Sequence, residues 1–145
     1  MTTGYRRPLP KMTEAVKPFW EGCKRHELFA QRCADCGTYR YPPRPMCPNC
    51  NSLNEEWSQV SGKGEVFSYI IVPAYPLRGS PMGYWPQDDY PINIAIIQLS
   101  DAKDVRMVST IVDCPFEDIR VGMPVEVVFD DVSAEVTLPK FRPVK

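Results

Sequence analysis

Apolar residues recur at every second position in several short segments of the chain, the period of a half-buried β-strand. The first such segment, residues 28–32, runs directly into a cysteine, and a shorter one follows at 38–41. Five more fill the second part of the chain, at residues 65–72, 92–99, 105–112, 125–129 and 135–141. The pattern therefore predicts a mostly β protein built from short strands.

One segment near the N-terminus has a helical period instead. Thr13 is the predicted N-cap, Glu14 lies in the first turn, and Phe19 and Trp20 follow on one apolar face. Pro18 and a glycine four residues later keep this helix short, and the 16 prolines of the 145-residue chain exclude long helices elsewhere. We expect the apolar face of the helix to pack against the strands that follow.

The five strands of the second part are interrupted after the third, where residues 115–120 allow a single helical turn. Gly62-Lys63-Gly64 is the predicted turn before the first of them, and residues 73–91 form a long loop rich in proline and aromatic residues. Five short strands with this break match the partly open Greek-key barrel called the OB-fold.

Four of the six cysteines form two pairs of equal spacing. Cys33 and Cys36 make one Cys-x-x-Cys knuckle, Cys47 and Cys50 make the other, and ten residues separate them. A gap of two residues lets both sulfurs of a knuckle face one ion, and the connecting segment is long enough to bring the second pair opposite. Four thiolates at about 2.3 Å complete a closed tetrahedron, the arrangement of a structural zinc site.

The residues after each knuckle support this interpretation. Gly37 and Asn51 follow the second cysteine of each pair, where the backbone needs a positive φ, and these residue types adopt it at least cost. We expect Zn²⁺ as the cofactor, although the same four ligands hold iron in rubredoxin, so the sequence leaves iron and an electron-transfer role open.

The remaining candidate ligands and nucleophiles are isolated. Cys23 and His26 are three residues apart without a complementary pair, which favours a buried helix cysteine and a surface histidine. Cys114 has no base marked beside it and is interpreted as a small core residue. The segments together divide the chain into an N-terminal leader and helix (1–26), a zinc ribbon (27–61) and an OB-fold (62–145).

The formal net charge of −1 conceals an asymmetry. Residues 1–50 hold nine basic and four acidic side chains, whereas residues 51–145 hold eight basic and fourteen acidic ones. Zinc ribbons and OB-folds often bind single-stranded nucleic acid, which is the alternative function. A barrel that follows phosphates should be basic, so the acidic second part argues against this alternative.

The sequence also bears on location and on catalysis. No apolar run approaches the roughly 18 residues of a membrane helix, and Met1 to Pro10 lacks the apolar stretch of a secretory signal, so we expect a cytoplasmic protein with reduced thiols. The chain has one histidine and no nucleotide-binding or hydrolase motif, and its adjacent acidic pairs point to opposite faces of a strand. It does not resemble a self-sufficient enzyme, and we expect no catalytic residues.

The long loop carries a concentration of large apolar side chains. Loops lie on the surface, and aromatic, methionine and arginine side chains are typical of interface cores. The alternative is that these rings fold back and fill one end of the barrel. The candidate partner-binding residues in this loop are Tyr75, Arg78, Met82, Tyr84 and Trp85.

The order of motifs along residues 13–143 resembles the zinc-ribbon plus OB-fold family known as domain of unknown function 35. The residues that carry the resemblance are Phe19-Trp20-Glu21-Gly22, Arg32-Cys33-x-x-Cys36-Gly37, Tyr41-Pro42-Pro43-Arg44, Cys47-Pro48-x-Cys50, Val60-Ser61-Gly62-x-Gly64, Gly122-Met123-Pro124 with Val125 to Phe129, and Leu138-Pro139-Lys140-Phe141-Arg142-Pro143.

The resemblance implies a small, non-catalytic partner subunit of a thiolase-superfamily enzyme that acts on acyl-CoA. Family members accompany the aldolases of steroid side-chain breakdown and the benzoylsuccinyl-CoA thiolase of toluene degradation. It further implies a hetero-oligomer whose catalytic chain holds the acyl-CoA and performs thiolysis or retro-aldol cleavage. The metal ligands carry over onto the four knuckle cysteines, no catalytic residue carries over, and the loop with Tyr84 and Trp85 has no counterpart in the resemblance.

Overall fold

A computed structural model describes residues 4–73 and 89–145 of the chain. Within these ranges it contains one helix, α1 (Lys17–Lys24), a short 3-10 helix (Phe116–Asp118), and the strands β1 (Leu28–Cys33), β2 (Tyr39–Arg40), β3 (Glu55–Val60), β4 (Lys63–Val72), β5 (Ile92–Leu99), β6 (Arg106–Ser109), β7 (Pro124–Asp131) and β8 (Thr137–Pro143). The predicted mostly β fold is confirmed. No helix in these ranges is long and apolar enough to cross a membrane.

Helix α1 begins three residues later than predicted. Val16 is its N-cap residue and makes no side-chain capping bond, whereas the predicted cap, Thr13, belongs to a preceding turn in which its carbonyl accepts from the Val16 N–H at 3.1 Å. Pro18 explains the shift, because a proline in the first turn sacrifices no helical hydrogen bond. As predicted, the apolar face is buried, with Phe19 and Cys23 at its centre.

The first sheet has the order β2-β1-β3, with all pairs antiparallel. Strand β3, which pairs with the whole of β1 from Leu28↔Val60 to Cys33↔Glu55, was not expected from the sequence. Its residues Glu55 to Gln59 are exposed or half-buried and lack an apolar alternation. The strand exists because its backbone completes the hydrogen bonds of β1, a cause that a hydrophobic pattern does not record.

The second sheet has the order β6-β5-β4-β7-β8 and curls into the predicted five-stranded barrel. Its two edges meet where Ile111 bridges Phe141 in parallel. The Phe141 N–H donates to the Thr110 carbonyl at 3.0 Å, and the Phe141 carbonyl accepts from the Val112 N–H at 2.8 Å. The barrel interior is filled by buried aliphatic side chains around Phe141, which is itself fully buried.

The predicted turn at residues 62–64 is shorter in the structure, because β4 already begins at Lys63. Both glycines are required by close packing rather than by a turn alone. A Cβ atom on Gly62 would lie 2.2 Å from Val127 Cγ1, and one on Gly64 would lie 2.4 Å from the Gln98 carbonyl oxygen. Gly62 thus leaves room for the Val127 side chain of β7, and Gly64 lets the backbones of β4 and β5 approach closely.

Candidate functional site

The four knuckle cysteines meet at one end of the ribbon sheet. Cys33 ends β1, Cys36 lies in the turn before β2, and Cys47 and Cys50 lie in the connection between β2 and β3. Their sulfur atoms all lie within 4.8 Å of one another. The Sγ atoms of Cys33 and Cys50 are 3.6 Å apart, as are those of Cys36 and Cys47.

These separations fit a tetrahedral ion. Four sulfurs at about 2.3 Å from a zinc ion are separated by roughly 3.8 Å along each edge of the tetrahedron. The donor set is four thiolates with no open position, which is the structural and not the catalytic type of site. Among the residues that the structure describes, this is the one cluster of potential metal-ligating side chains. The four cysteines therefore form a metal site.

Each knuckle is closed by the same backbone geometry. Gly37 has a φ of 76° and Asn51 a φ of 61°, as predicted from their positions after the second cysteine. Their N–H groups donate to the carbonyls of Cys33 and Cys47, each at 3.0 Å. A Cβ on Gly37 would lie 2.9 Å from an Arg32 guanidinium nitrogen, so the first knuckle requires glycine where the second tolerates asparagine.

Polar neighbours prepare some of the sulfurs to act as thiolates. Hydrogen bonds with Thr38 and Asn49 lower the pKa of Cys36 to about 5, and the backbone N–H of Cys36 lowers the pKa of Cys33. The Ser52 backbone N–H lowers the pKa of Cys50. Hydrogen bonds with the other three knuckle cysteines, together with desolvation, outweigh this effect and raise the pKa of Cys50 to about 12. Binding of a cation to all four thiolates therefore displaces protons.

A carboxylate joins the two knuckles behind the sulfurs. Asp35 accepts hydrogen bonds from the Ser52 hydroxyl and from Asn54 Nδ2, the latter at 3.0 Å, and these bonds lower its pKa. The Ala34 N–H donates to the Asn54 carbonyl at 3.0 Å. Sequence reasoning did not identify Asp35, because its partners lie 17 and 19 residues further along the chain.

A buried guanidinium braces the other side of the ribbon. Arg40 is 3% exposed, and its Nε donates to Gln31 Oε1 at 2.7 Å and to the Arg44 carbonyl at 3.0 Å. The Arg44 N–H donates to the same Gln31 oxygen at 2.8 Å, and Glu55 lies 3.6 Å from the guanidinium. This network fixes the start of the arm that carries the second knuckle.

The single histidine connects the ribbon side of the molecule to the barrel. His26 Nε2 lies 3.0 Å from Asp131 Oδ1, and its ring stacks on Phe129 with 5.3 Å between centroids. The Thr137 hydroxyl donates to the same carboxylate at 2.6 Å, and these two hydrogen bonds lower the pKa of Asp131. As expected, the histidine is exposed. Cys114 lies at the edge of the core, and burial raises its pKa.

The predicted partner contacts fall in the long loop. Tyr75, Arg78, Met82, Tyr84 and Trp85 all lie outside the described residues. Two basic residues of β8 are paired with acidic residues of β7: Lys140 with Asp130, and Arg142 with Glu126.

A cleft of about 570 Å³ that sequence reasoning missed lies between α1 and the barrel. Its walls are mostly apolar and include Trp20, Tyr41 and Phe116, while Tyr5 lines it from the leader. Arg7, also in the leader, donates from Nε to an Asp89 carboxylate oxygen at 2.9 Å. No single segment carries the signal for this cleft, because its lining comes from strands and loops far apart in the chain.

Comparison with known proteins agrees with this architecture. The family described as "ChsH2, rubredoxin-like zinc ribbon domain" matches residues 20–56, and "ChsH2, C-terminal OB-fold domain" matches residues 57–130. A "DUF35 domain-containing scaffold protein" of Methanocaldococcus jannaschii is 36% identical over 87% of this chain and 89% of its own length. The chain belongs to the DUF35 family. The predicted ribbon followed by an OB-fold is thereby confirmed.

Two further relatives in this family are informative. A "Probable enoyl-CoA hydratase alpha subunit" of Thermomonospora curvata is 34% identical over 94% of this chain, but the match covers only 40% of that longer protein. The solved structure titled "Ltp2-ChsH2(DUF35) aldolase" contains a chain that is 32% identical and superimposes with a TM-score of 0.77, covering 93% of this chain and 98% of the other.

Proposed function

We propose that this chain is a non-catalytic accessory subunit of a thiolase-superfamily enzyme that cleaves C–C bonds of acyl-CoA thioesters, by thiolysis or retro-aldol reaction, in the breakdown of aromatic or steroid compounds. The observation that carries the proposal is the likeness to a DUF35 chain of the two-component aldolase, which covers 98% of that chain. A chain that matches one component of such an enzyme along nearly its whole length is expected to occupy the same place.

The chemistry of the described residues supports an accessory role. His26 lies on the surface with its Nε2 beside the Asp131 carboxylate, and burial raises the pKa of the Cys114 thiol, which reduces its nucleophilicity. The other described cysteines are the four of the metal site and the buried Cys23, whose pKa burial raises to about 12. We therefore assign the nucleophile and the base to the catalytic chain, where a thiolase uses a cysteine to attack the acyl carbonyl.

We further propose that the ion of the metal site is zinc. A closed set of four thiolates suits Zn²⁺, and the ion would cross-link a ribbon whose sheet has only a two-residue strand on one edge. The four cysteines of the two knuckles would hold the ion, and Asp35 joins those knuckles through hydrogen bonds to Ser52 and Asn54. With the ion bound, the ribbon would be a rigid element to which a partner can bind. Metal analysis tests this: one zinc per chain with no visible absorption is expected, and a red protein containing iron would contradict it.

The accessory role can be tested with the purified components. The chain is co-expressed with the thiolase-superfamily protein encoded nearest to it, and complex formation is followed by analytical ultracentrifugation. C–C cleavage of acyl-CoA is then measured for each chain alone and for the complex. We expect a stable hetero-oligomer and activity that requires both chains. Full cleavage by either chain alone, or no complex with that protein, would overturn the proposal.

A further inference from the structure

The outer surface of the barrel is apolar over three adjacent strands. Along β5 the side chains alternate, so that Ala95 and Ile97 are buried inside while Ile92, Ile94 and Ile96 point outward. The strand register places aliphatic residues of β4 and β6 beside them on the same side. We call this surface the isoleucine face; it consists of Ile70, Val72, Ile92, Ile94, Ile96 and Val108.

The two ends of this face are exposed, and the other four side chains, Val72, Ile92, Ile94 and Ile96, are half-buried. Val108 is 60% exposed and Ile70 is 56% exposed, and none of the six positions carries a charge. An antiparallel sheet with one face in water normally alternates apolar-in and polar-out, and the outer positions of these strands break that rule. Contiguous apolar patches on a folded chain indicate an interaction site.

The positively charged side chain of Arg106 lies at one end of the isoleucine face. A β-bulge between Val66 and Ser68 turns Phe67 outward, and the Arg106 guanidinium lies over its ring, 4.0 Å from the centroid. Arg106 Nε also donates to Gln98 Oε1 at 3.2 Å, so the charged group is held in place. No carboxylate in residues 4–73 and 89–145 forms an ion pair with it. An uncharged surface ending in an oriented arginine is the composition of an interface core.

We propose that the isoleucine face, with Phe67 and Arg106, is where the catalytic subunit docks. The partner covers the face with apolar side chains and presents a carboxylate to Arg106. The identity of the partner rests on the proposed function; the location of the surface rests on the exposure and charge just described. Glu65 lies opposite Gln98 in the strand register and is exposed, so a second copy of this chain also carries a carboxylate on this side of the sheet. The self-association measurement below distinguishes that occupant from the catalytic subunit.

The size of the face agrees with this role. Strands β4 and β5 each contribute about six residues and β6 about three, which at about 3.3 Å per residue and about 4.8 Å between strands gives a footprint of roughly 240 Å². A stable interface buries about 800 Å² on each partner, so the face forms the apolar centre and a polar rim supplies the rest. The cleft beside α1 adjoins it, since Ile94 and Val108 also line that cleft.

The test compares substitutions on and off the face. Val108→Glu and Ile70→Glu place a carboxylate on two different strands of the face. Val144→Glu is the matched control: this valine is 46% exposed, is not part of the face, and follows β8, where its N–H donates to the Pro124 carbonyl of β7 at 3.1 Å. Affinity for the catalytic subunit is measured by calorimetry, thermal unfolding verifies that each variant is folded, and sedimentation records self-association.

We expect at least a tenfold loss of affinity for Val108→Glu and Ile70→Glu, a several-fold and salt-sensitive loss for Arg106→Ala, and no change for Val144→Glu. If the wild-type complex forms and both face variants bind like wild type, the docking surface is wrong while the proposed function stands. If no wild-type complex forms, the proposed function fails and this inference with it. If the face variants instead abolish a homodimer and leave the heterocomplex intact, the occupant is a second copy and the proposal is overturned.

Discussion

The ribbon and the barrel are both small β-structures, but different interactions hold them together. The ribbon has a buried arginine and glutamine and a four-cysteine metal site, and β3 contributes little apolar surface. The barrel has a conventional apolar interior around Phe141. The ribbon adds Leu28, Ala30 and Val60 to the shared core, but its cysteine end has a metal site and a polar network where the barrel has apolar packing.

Loss of the metal should give the largest difference in stability between the two regions, because it should unfold the ribbon and leave the barrel folded. Cys36→Ser with Cys50→Ser leaves two ligands, so we expect loss of the ion and unfolding of the ribbon, since structural zinc contributes on the order of 10 kcal/mol to small domains. Amide hydrogen exchange should then lose protection in β1 and β3 but keep it in β5. Cys114→Ser is the matched control, expected to retain the ion. Equal protection of the ribbon in the double variant would contradict this view.

A cavity in the barrel interior should have the opposite effect: it should destabilise the barrel and leave the metal site intact. Phe141→Ala removes a fully buried ring from the barrel interior, and we expect a loss of about 3–5 kcal/mol in the free energy of unfolding, measured by urea denaturation. The metal content of the folded protein should not change. Phe67→Ala, at a ring that is 44% exposed, should cost less than about 1 kcal/mol. Similar costs at the two positions would show that the interior is not what stabilises the barrel.

The two knuckles should differ in their tolerance of side chains. Gly37→Ala forces a β-carbon onto a φ of 76° and against Arg32, so we expect a loss of about 1–2 kcal/mol in stability. Asn51→Gly, at the equivalent position of the second knuckle, should be close to neutral. Thermal unfolding of the metal-loaded proteins measures both. The comparison fails if the two substitutions have the same effect.

The smallest expected effect lies at the contact between the two regions. Hydrogen bonds from Thr137 and His26 lower the pKa of Asp131, so its contribution to stability is present above the unfolded pKa of about 3.9 and is lost as the pH falls through the lower folded pKa. Asp131→Asn should therefore lower stability slightly at pH 6 and flatten its decline below pH 4. Glu135→Gln, an exposed acid between β7 and β8, is the control. An unchanged acid profile in Asp131→Asn would exclude this contribution.

The parts of the fold that the sequence predicts are those with local causes. Strand β5 has the predicted bounds because its alternation is regular along eight residues. The cysteine spacing and the residues after each knuckle predict the metal site for the same reason. Strand β3 was missed because it depends on pairing with β1, and Asp35 was missed because its bonding partners are distant in sequence. The isoleucine face required the register of three strands, which no single segment contains.

The connection between β3 and β4 consists of two residues, Ser61 and Gly62. The Ser61 N–H donates to an Asp101 carboxylate oxygen at 2.8 Å, and the Gly62 carbonyl accepts from the Val127 N–H at 2.8 Å, so each residue is bonded to the barrel. A link this short and this well anchored has no slack. A partner that binds the ribbon is therefore held at a distance from the barrel surface that the fold itself determines.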